Sequence, residues 1–202
     1  MLGGRKNRLS DYKARRDFRR SPEPSGGRKH GKGSRFVIQQ HAASSMHWDF
    51  RLEIEGVLVS WAVPKGPSTD PREKRLAVRT EDHPTDYGEF EGIIPEGEYG
   101  AGAVIVWDTG RYRNLRAGDG DDACPMADSL DQGQIEVFLE GEKLTGGYAL
   151  VHARVGSDEK NWLLVKMDDE QADARRRPTS TEPESVLSGR TVEEVADDKQ
   201  AD

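Results

Sequence analysis

Within "HAASSMHWDFR" the sequence carries His41, His47, Asp49 and Arg51. Two imidazoles and a carboxylate form a common partial shell for a first-row divalent metal, with positions left for water or substrate. The run from Met46 reads as a β-strand, in which alternate residues point to opposite sides. His47, Asp49 and Arg51 then share one face with Glu53 beyond them, while Trp48, Phe50 and Leu52 share the apolar face. Residues two apart on a strand stand roughly 6–7 Å apart, close enough for His47 and Asp49 to converge on one ion. The small residues "AASS" form a turn that folds His41 back beside them. A lone histidine usually makes hydrogen bonds near a core. The His-x5-His-x-Asp spacing with an arginine on the same face favours metal binding instead.

Other cations can gather near such a triad. Lys65 stands at a strand end in "VPKGPS", and Arg75 and Arg79 share a face of "KRLAVRT". His83 follows in "TEDHP" and Tyr87 in "TDYGEF". Barrels build sites from strand ends and the loops beside them. A metal beside Arg51, Lys65, Arg75 and His83 would make a cationic pocket in an acidic protein, which suits a phosphate ester. Arg72 and Lys74 in "DPREK" read as turn charges. There is no Gly-x-Ser-x-Gly elbow and no Walker-type loop, and the glycine-rich "GEYGAG" reads as turns. Cys124 lies among carboxylates that disfavour a thiolate, and His152 alternates with Tyr148 and Leu150 as a structural histidine.

The elements that must position these residues are short and β-like. Eight runs, from "RFVIQQH" to "NWLLVKMDD", are bounded by Gly, Pro, Asp or Asn and imply an antiparallel barrel or sandwich. "NRLSDYKARRDFRR" predicts a short helix with Ser10 as its N-cap, stopped at "SPEPSGG". The stretch "RAGDGDDACPMADSLDQG" lacks periodicity and reads as an exposed acidic loop. Beyond Asp168 apolar residues are few, which predicts a disordered tail.

Charge is divided unevenly in this chain of 202 residues and net charge −7. Residues 1–35 hold twelve Lys/Arg against three Asp/Glu, a local +9, and residues 168–202 carry −6, leaving −10 between them. A basic arm on an acidic body can engage polyanions locally despite the low overall charge. The single cysteine excludes an internal disulfide framework and suits a reducing, cytoplasmic setting. No apolar run is long enough for a membrane span or a secretory signal.

With these motifs in order, "QQHAASSMHWDFRLE", "SWAVPKGPS", "TEDHPTDYGEFEGIIPEGEYGAGAVIVWDTG" and "GEKLTGGYALVHAR" resemble the 3′-phosphoesterase domain of bacterial and archaeal DNA ligase D. "LSDYKARRDFRRSPEP" is similar to that domain's N-terminal segment, and the resemblance runs from about Leu9 to Asp168. It implies an all-β, compact antiparallel barrel with a crescent-shaped groove. It implies removal of 3′-terminal ribonucleotides and 3′-phosphates from DNA ends in break repair, with Mn2+ or another divalent first-row metal. By the same resemblance, His41, His47 and Asp49 ligate the metal. Arg51 and His83 contact phosphate, with support from Lys65, Arg75 and Tyr87, and Arg16, Asp17 and Glu23 match positions that matter in the family. His83 is a candidate for protonating the leaving oxygen, its ordinary pKa being near neutrality.

The organisation expected is a basic arm with a short helix over 1–34, a barrel over 35–168 and a disordered tail over 169–202. No Lys-x-Asp-Gly nucleotidyl-transfer motif occurs, so a freestanding phosphoesterase is expected. Its partners would be primer–template DNA 3′ ends, and a ligase or polymerase in trans. Two other readings remain open: a non-haem Fe(II) oxygenase built on a two-His-one-carboxylate triad, and a non-catalytic DNA-end or ligase adaptor.

Overall fold

The computed structural model describes residues 8–27, 33–119, 123–153 and 158–198. Eight long or medium strands close an antiparallel barrel. They are β1 (Arg35–Ala42), β2 (Met46–Ile54), β3 (Val57–Val63), β4 (Lys74–Arg79), β7 (Gly102–Asn114), β8 (Gln134–Gly141), β9 (Thr145–His152) and β10 (Asn161–Lys166). Their order around the wall is β1-β2-β3-β4-β10-β9-β8-β7, and β7 pairs back onto β1. Two short strands are added outside this ring. β5 (His83–Pro84) pairs with β3, and β6 (Gly92–Ile94) pairs with β7.

The alternation read from the sequence has a physical outcome on both sides of the wall. Trp48, Phe50, Leu52, Val59, Trp61, Trp107, Leu139, Leu150 and Trp162 fill the interior, with the Trp61 and Trp162 rings 5.5 Å apart, edge to face. The opposite face of β1, β2, β3 and β7 is also buried. Val37, Leu58, Val104 and Val106 pack there against Tyr12, Tyr87, Phe90 and Ile94. The outer wall is therefore covered by the N-terminal segment and by the chain from β5 to β6.

Turn chemistry sets the register of this wall. Glu55 (φ 52°) and Gly56 (φ 80°) make a two-residue connection with two left-handed residues, which matches the twist of the paired strands. It places Arg51 opposite Ser60 and Asp49 opposite Ala62. Across the other hairpin, His41 lies opposite His47 and Gln39 opposite Asp49. Pairing across the "AASS" turn is thus as the spacing predicts.

Three expectations need correction. Helix α1 (Ser10–Ala14) forms, but Leu9 occupies the cap position and the Ser10 side chain caps nothing. The acidic loop contains a helix, α2 (Met126–Asp131). The described part of the tail, residues 169–198, is packed and not disordered. It carries α3 (Pro178–Thr181) and α4 (Val192–Asp197), the latter closed by a reciprocal Thr191–Glu194 capping box. Val192 and Val195 are buried on Ala103 and Ile105, which share a strand face with the interior Trp107, so α4 stoppers the barrel beside the β1–β2 turn. Trp107 Nε1 donates to the Glu182 carbonyl at 2.8 Å, and Thr69 Oγ1 to that of Asp173 at 2.8 Å. A few well-placed apolar residues suffice here, and overall composition does not register them. Truncation after Asp168 should lower the melting temperature, since burying each valine contributes about 1.5–3 kcal/mol. An unchanged melting curve would contradict this packing.

Candidate active site

The site lies on the outer wall of the barrel, where β1 ends and β2 begins beside their shared turn, and it runs along β2 toward the facing part of β3 and the loops beside it. It is a cavity of about 240 Å3 lined by Arg16, His41, His47, Asp49, Arg51, Ala62, Glu81, His83, Tyr87, Tyr99 and Gly100, among others. The register explains the grouping, because alternate residues of β1 and β2 come face to face. One ligand atom from each of His41, His47 and Asp49 lies within 4.8 Å of the others. His41 Nδ1 is 3.8 Å and His47 Nε2 is 3.7 Å from the same Asp49 oxygen, Oδ2.

The opposite nitrogen of each ring is anchored to a backbone carbonyl. His41 Nε2 donates to Gly100 at 2.8 Å and His47 Nδ1 to Ser45 at 3.0 Å. Such outer bonds fix the tautomer and turn the remaining lone pairs toward a shared point, as in metal-ligating histidines. The donor set thus fits a divalent first-row ion. Burial opposes ionisation of Asp49, but the Arg51 guanidinium, with the two imidazoles close by, holds its pKa well below the usual carboxylate range. His47 is raised overall: burial opposes its charge, and Asp49 outweighs burial.

Arg51 is 2% exposed and organises the floor. Nε donates to Gln39 Oε1 at 2.8 Å, Nη1 to Ser60 Oγ at 2.8 Å, and Nη2 to Asp49 Oδ2 at 3.0 Å. Nη1 is also 3.0 Å from His83 Nδ1. Gln39 in turn donates to the carbonyls of Tyr87 (3.0 Å) and Phe90 (2.9 Å), tying the outer chain to β1.

The N-terminal segment supplies the far side. Arg16, whose side chain is 4% exposed, donates to Glu23 Oε1 at 2.8 Å and Glu81 Oε1 at 3.1 Å. Its Nη2 lies 3.4 Å from His83 Nε2, and its guanidinium lies 4.0 Å over the Tyr12 ring. Tyr87 donates to Glu23 Oε1 at 3.2 Å, and burial keeps that phenol protonated.

His83 is consequently enclosed by two guanidiniums. Burial first, then Arg51 and Arg16, push its pKa well below the ordinary imidazole value, so it is neutral in the free protein. This corrects the expectation of a near-neutral pKa. In the unfolded chain the imidazole takes up a proton near pH 6.5, so this group's contribution to stability falls as pH drops below about 6.5 and is flat above. Its ring signals should stay in the neutral form between about pH 6 and 8 in an NMR titration. A midpoint inside that window would contradict the enclosure.

The structure brings together His41, His47, Asp49, Arg51, His83, Tyr87 and Arg16, with Glu23 behind Arg16. It does not bring in Lys65, Arg75 or Asp17. Lys65 is exposed and shares a separate groove with Arg75, where Arg75 donates to Glu73 Oε2 at 2.6 Å. Asp17 pairs outward with Arg19 at 3.0 Å. Arg79 is held by Asp82 and lies over Trp61. Sequence reading missed Gln39 and Ser60, although two-residue alternation from His41 and from the β2–β3 register points to both. It also missed Tyr12, Glu81 and Tyr99, which only the tertiary fold brings near. His30 lies outside the described residues, and His152 Nε2 meets the Glu159 carbonyl at 2.7 Å, in keeping with a structural histidine.

Residues 39–152 match the family described as DNA Ligase D 3'-phosphoesterase domain, more than half of the chain. The chain belongs to that family. The match starts at Gln39 and takes in the triad, Arg51, His83 and Tyr87. A "Multifunctional non-homologous end joining protein LigD" from Pseudomonas aeruginosa is 48% identical over 190 residues, covering 91% of this chain and 22% of that protein. The protein of the same name from Mycolicibacterium smegmatis is 42% identical over 185 residues, covering 91% and 23%. The Mycobacterium tuberculosis relative is 43% identical over 167 residues, covering 82% and 20%. The chain spans about a fifth of the length of these curated relatives. No helix among the described residues is long and apolar enough to cross a membrane.

Proposed function

We propose that this 3′-phosphoesterase-family chain processes DNA 3′ ends, releasing 3′-phosphates and 3′-terminal ribonucleotides with the help of Mn2+ or a similar divalent ion. The observation that carries the reading is the triad: three ligand atoms on two paired strands, with both imidazoles oriented by carbonyls, beside two buried guanidiniums. His41 Nδ1, His47 Nε2 and Asp49 Oδ2 would hold the ion, which supplies charge neutralisation at a phosphate oxygen. Arg51 holds Asp49 and His83 in place, and Arg51 and Arg16 offer their charge to the phosphate as negative charge builds on it. Neutral His83 has Nδ1 on the Glu81 carbonyl at 2.9 Å, and an arriving phosphate raises the proton affinity of its Nε2 toward that of a general acid. Arg16 and Tyr87 keep Glu23 paired. Lys65 and Arg75 flank the neighbouring groove, where they could meet DNA backbone phosphates outside the cavity. A ligase or polymerase in trans would be the natural consumer of the repaired end, and a cytoplasmic setting follows from the same role.

The test is a 5′-labelled primer–template ending in one ribonucleotide or in a 3′-phosphate, incubated with and without Mn2+. Mn2+-dependent trimming without oxygen or an organic co-substrate supports the reading over an Fe(II) oxygenase. Binding of the end without trimming would leave a non-catalytic adaptor.

A further inference from the structure

Tyr99 is the one aromatic among the described large apolar side chains that are substantially exposed, at 45%. It lines the rim of the cavity, in the connection between β6 and β7. The next residue, Gly100 (φ +79°), gives its carbonyl to His41, so the ring is fixed one residue from a bond that orients the triad. Arg15 Nη1 donates to the Tyr99 hydroxyl at 2.8 Å, and Glu81 Oε2 lies 3.5 Å from it. The guanidiniums of Arg15 and Arg16 lie 5.0 and 5.4 Å over the ring. The ring is thus held by its hydroxyl and flanked by two cations, yet it remains open to solvent.

A rigid aromatic beside cations at the lip of a phosphate-type cavity is how proteins seat unpaired nucleobases. In a nucleotide only the sugar separates base from phosphate, so a phosphate held at the triad puts the attached base at the rim. We propose that Tyr99 is the platform on which the terminal nucleobase of a 3′ DNA end stacks while its phosphate occupies the cavity. This rests on the reading of the chain as a 3′-end phosphoesterase. The competing role for Tyr99 is a prop that holds the N-terminal segment through Arg15. The two differ in which part of the side chain matters, ring or hydroxyl.

The experiment uses the full chain and a primer–template with a 3′-phosphate and 2-aminopurine as its last base, whose fluorescence falls on stacking. Wild type and Tyr99→Phe should both quench it. Tyr99→Leu should not, and its affinity for that end should fall about 5- to 150-fold. With the probe moved several nucleotides inward, all three should respond alike. Tyr99→Trp should restore the quench that Tyr99→Leu loses. Equal quenching by Tyr99→Leu overturns the proposal, and so does a Tyr99→Phe variant that behaves like Tyr99→Leu. Release of phosphate from the same end by wild type is measured separately. Its absence would remove the enzymatic reading while the quench still reports on stacking.

Discussion

His47→Ala yields a folded barrel with greatly weakened affinity for a divalent ion. The imidazole side chain is 22% exposed and its backbone anchor is the Ser45 carbonyl two residues away, so its removal leaves little of the wall unsupported. The loss in metal affinity should exceed the roughly 10–100-fold that follows removal of an outer hydrogen-bonding partner, because a donor atom itself is gone. The next residue behaves oppositely. Trp48 points into the interior cluster at 8% exposure, and Trp48→Ala should destabilise the fold by about 3–5 kcal/mol. Calorimetric titration with Mn2+ and thermal melts on both variants check this. Unfolding of His47→Ala, or an unchanged affinity for Mn2+, would refute the assignment of faces.

Arg16→Met costs stability as well as activity. Glu23 is 4% exposed and receives Arg16 Nε, Ser21 Oγ (2.6 Å) and Tyr87 Oη. Removing the guanidinium leaves that carboxylate buried and without its cation, a loss of about 3–5 kcal/mol. Glu23→Gln in the same chain removes the stranded charge but keeps the Ser21 and Tyr87 partners. The double variant should therefore be more stable than Arg16→Met alone, although it should remain catalytically impaired because Arg16 no longer faces His83. Denaturant melts of the two singles and the double give the coupling. Additive losses would mean that the pair is not coupled. A basic arm that merely attracts polyanions predicts no such loss.

Period-two patterns were readable from the sequence because they are local. The facing of His47, Asp49 and Arg51 against Trp48, Phe50 and Leu52 follows from alternation, and the His41–His47 apposition from a short turn. Two short strands went unread because β5 and β6 span only two and three residues, too few for any period to show. The location on the outer wall was not readable either. It depends on which segment covers that wall, and Tyr12 and Phe18 are two aromatics in a run dominated by charge. Charge counting likewise could not distinguish Arg16, which is buried against Glu23, from Arg19, which faces solvent. The tail was misjudged for the same reason, since Val192 and Val195 matter through position and not through number.

The two halves of the site differ in how far apart in the chain their members lie. His41 and His47 sit on neighbouring strands of one hairpin, whereas Arg16 and His83 meet only after 67 residues of chain have been brought together. Loop closure favours short-range pairing, so the hairpin is expected to form early and the docking of residues 8–27 late. During refolding, ion-binding competence should therefore appear before end-processing competence. The lag between the two would time the moment at which the N-terminal segment lies down on the wall.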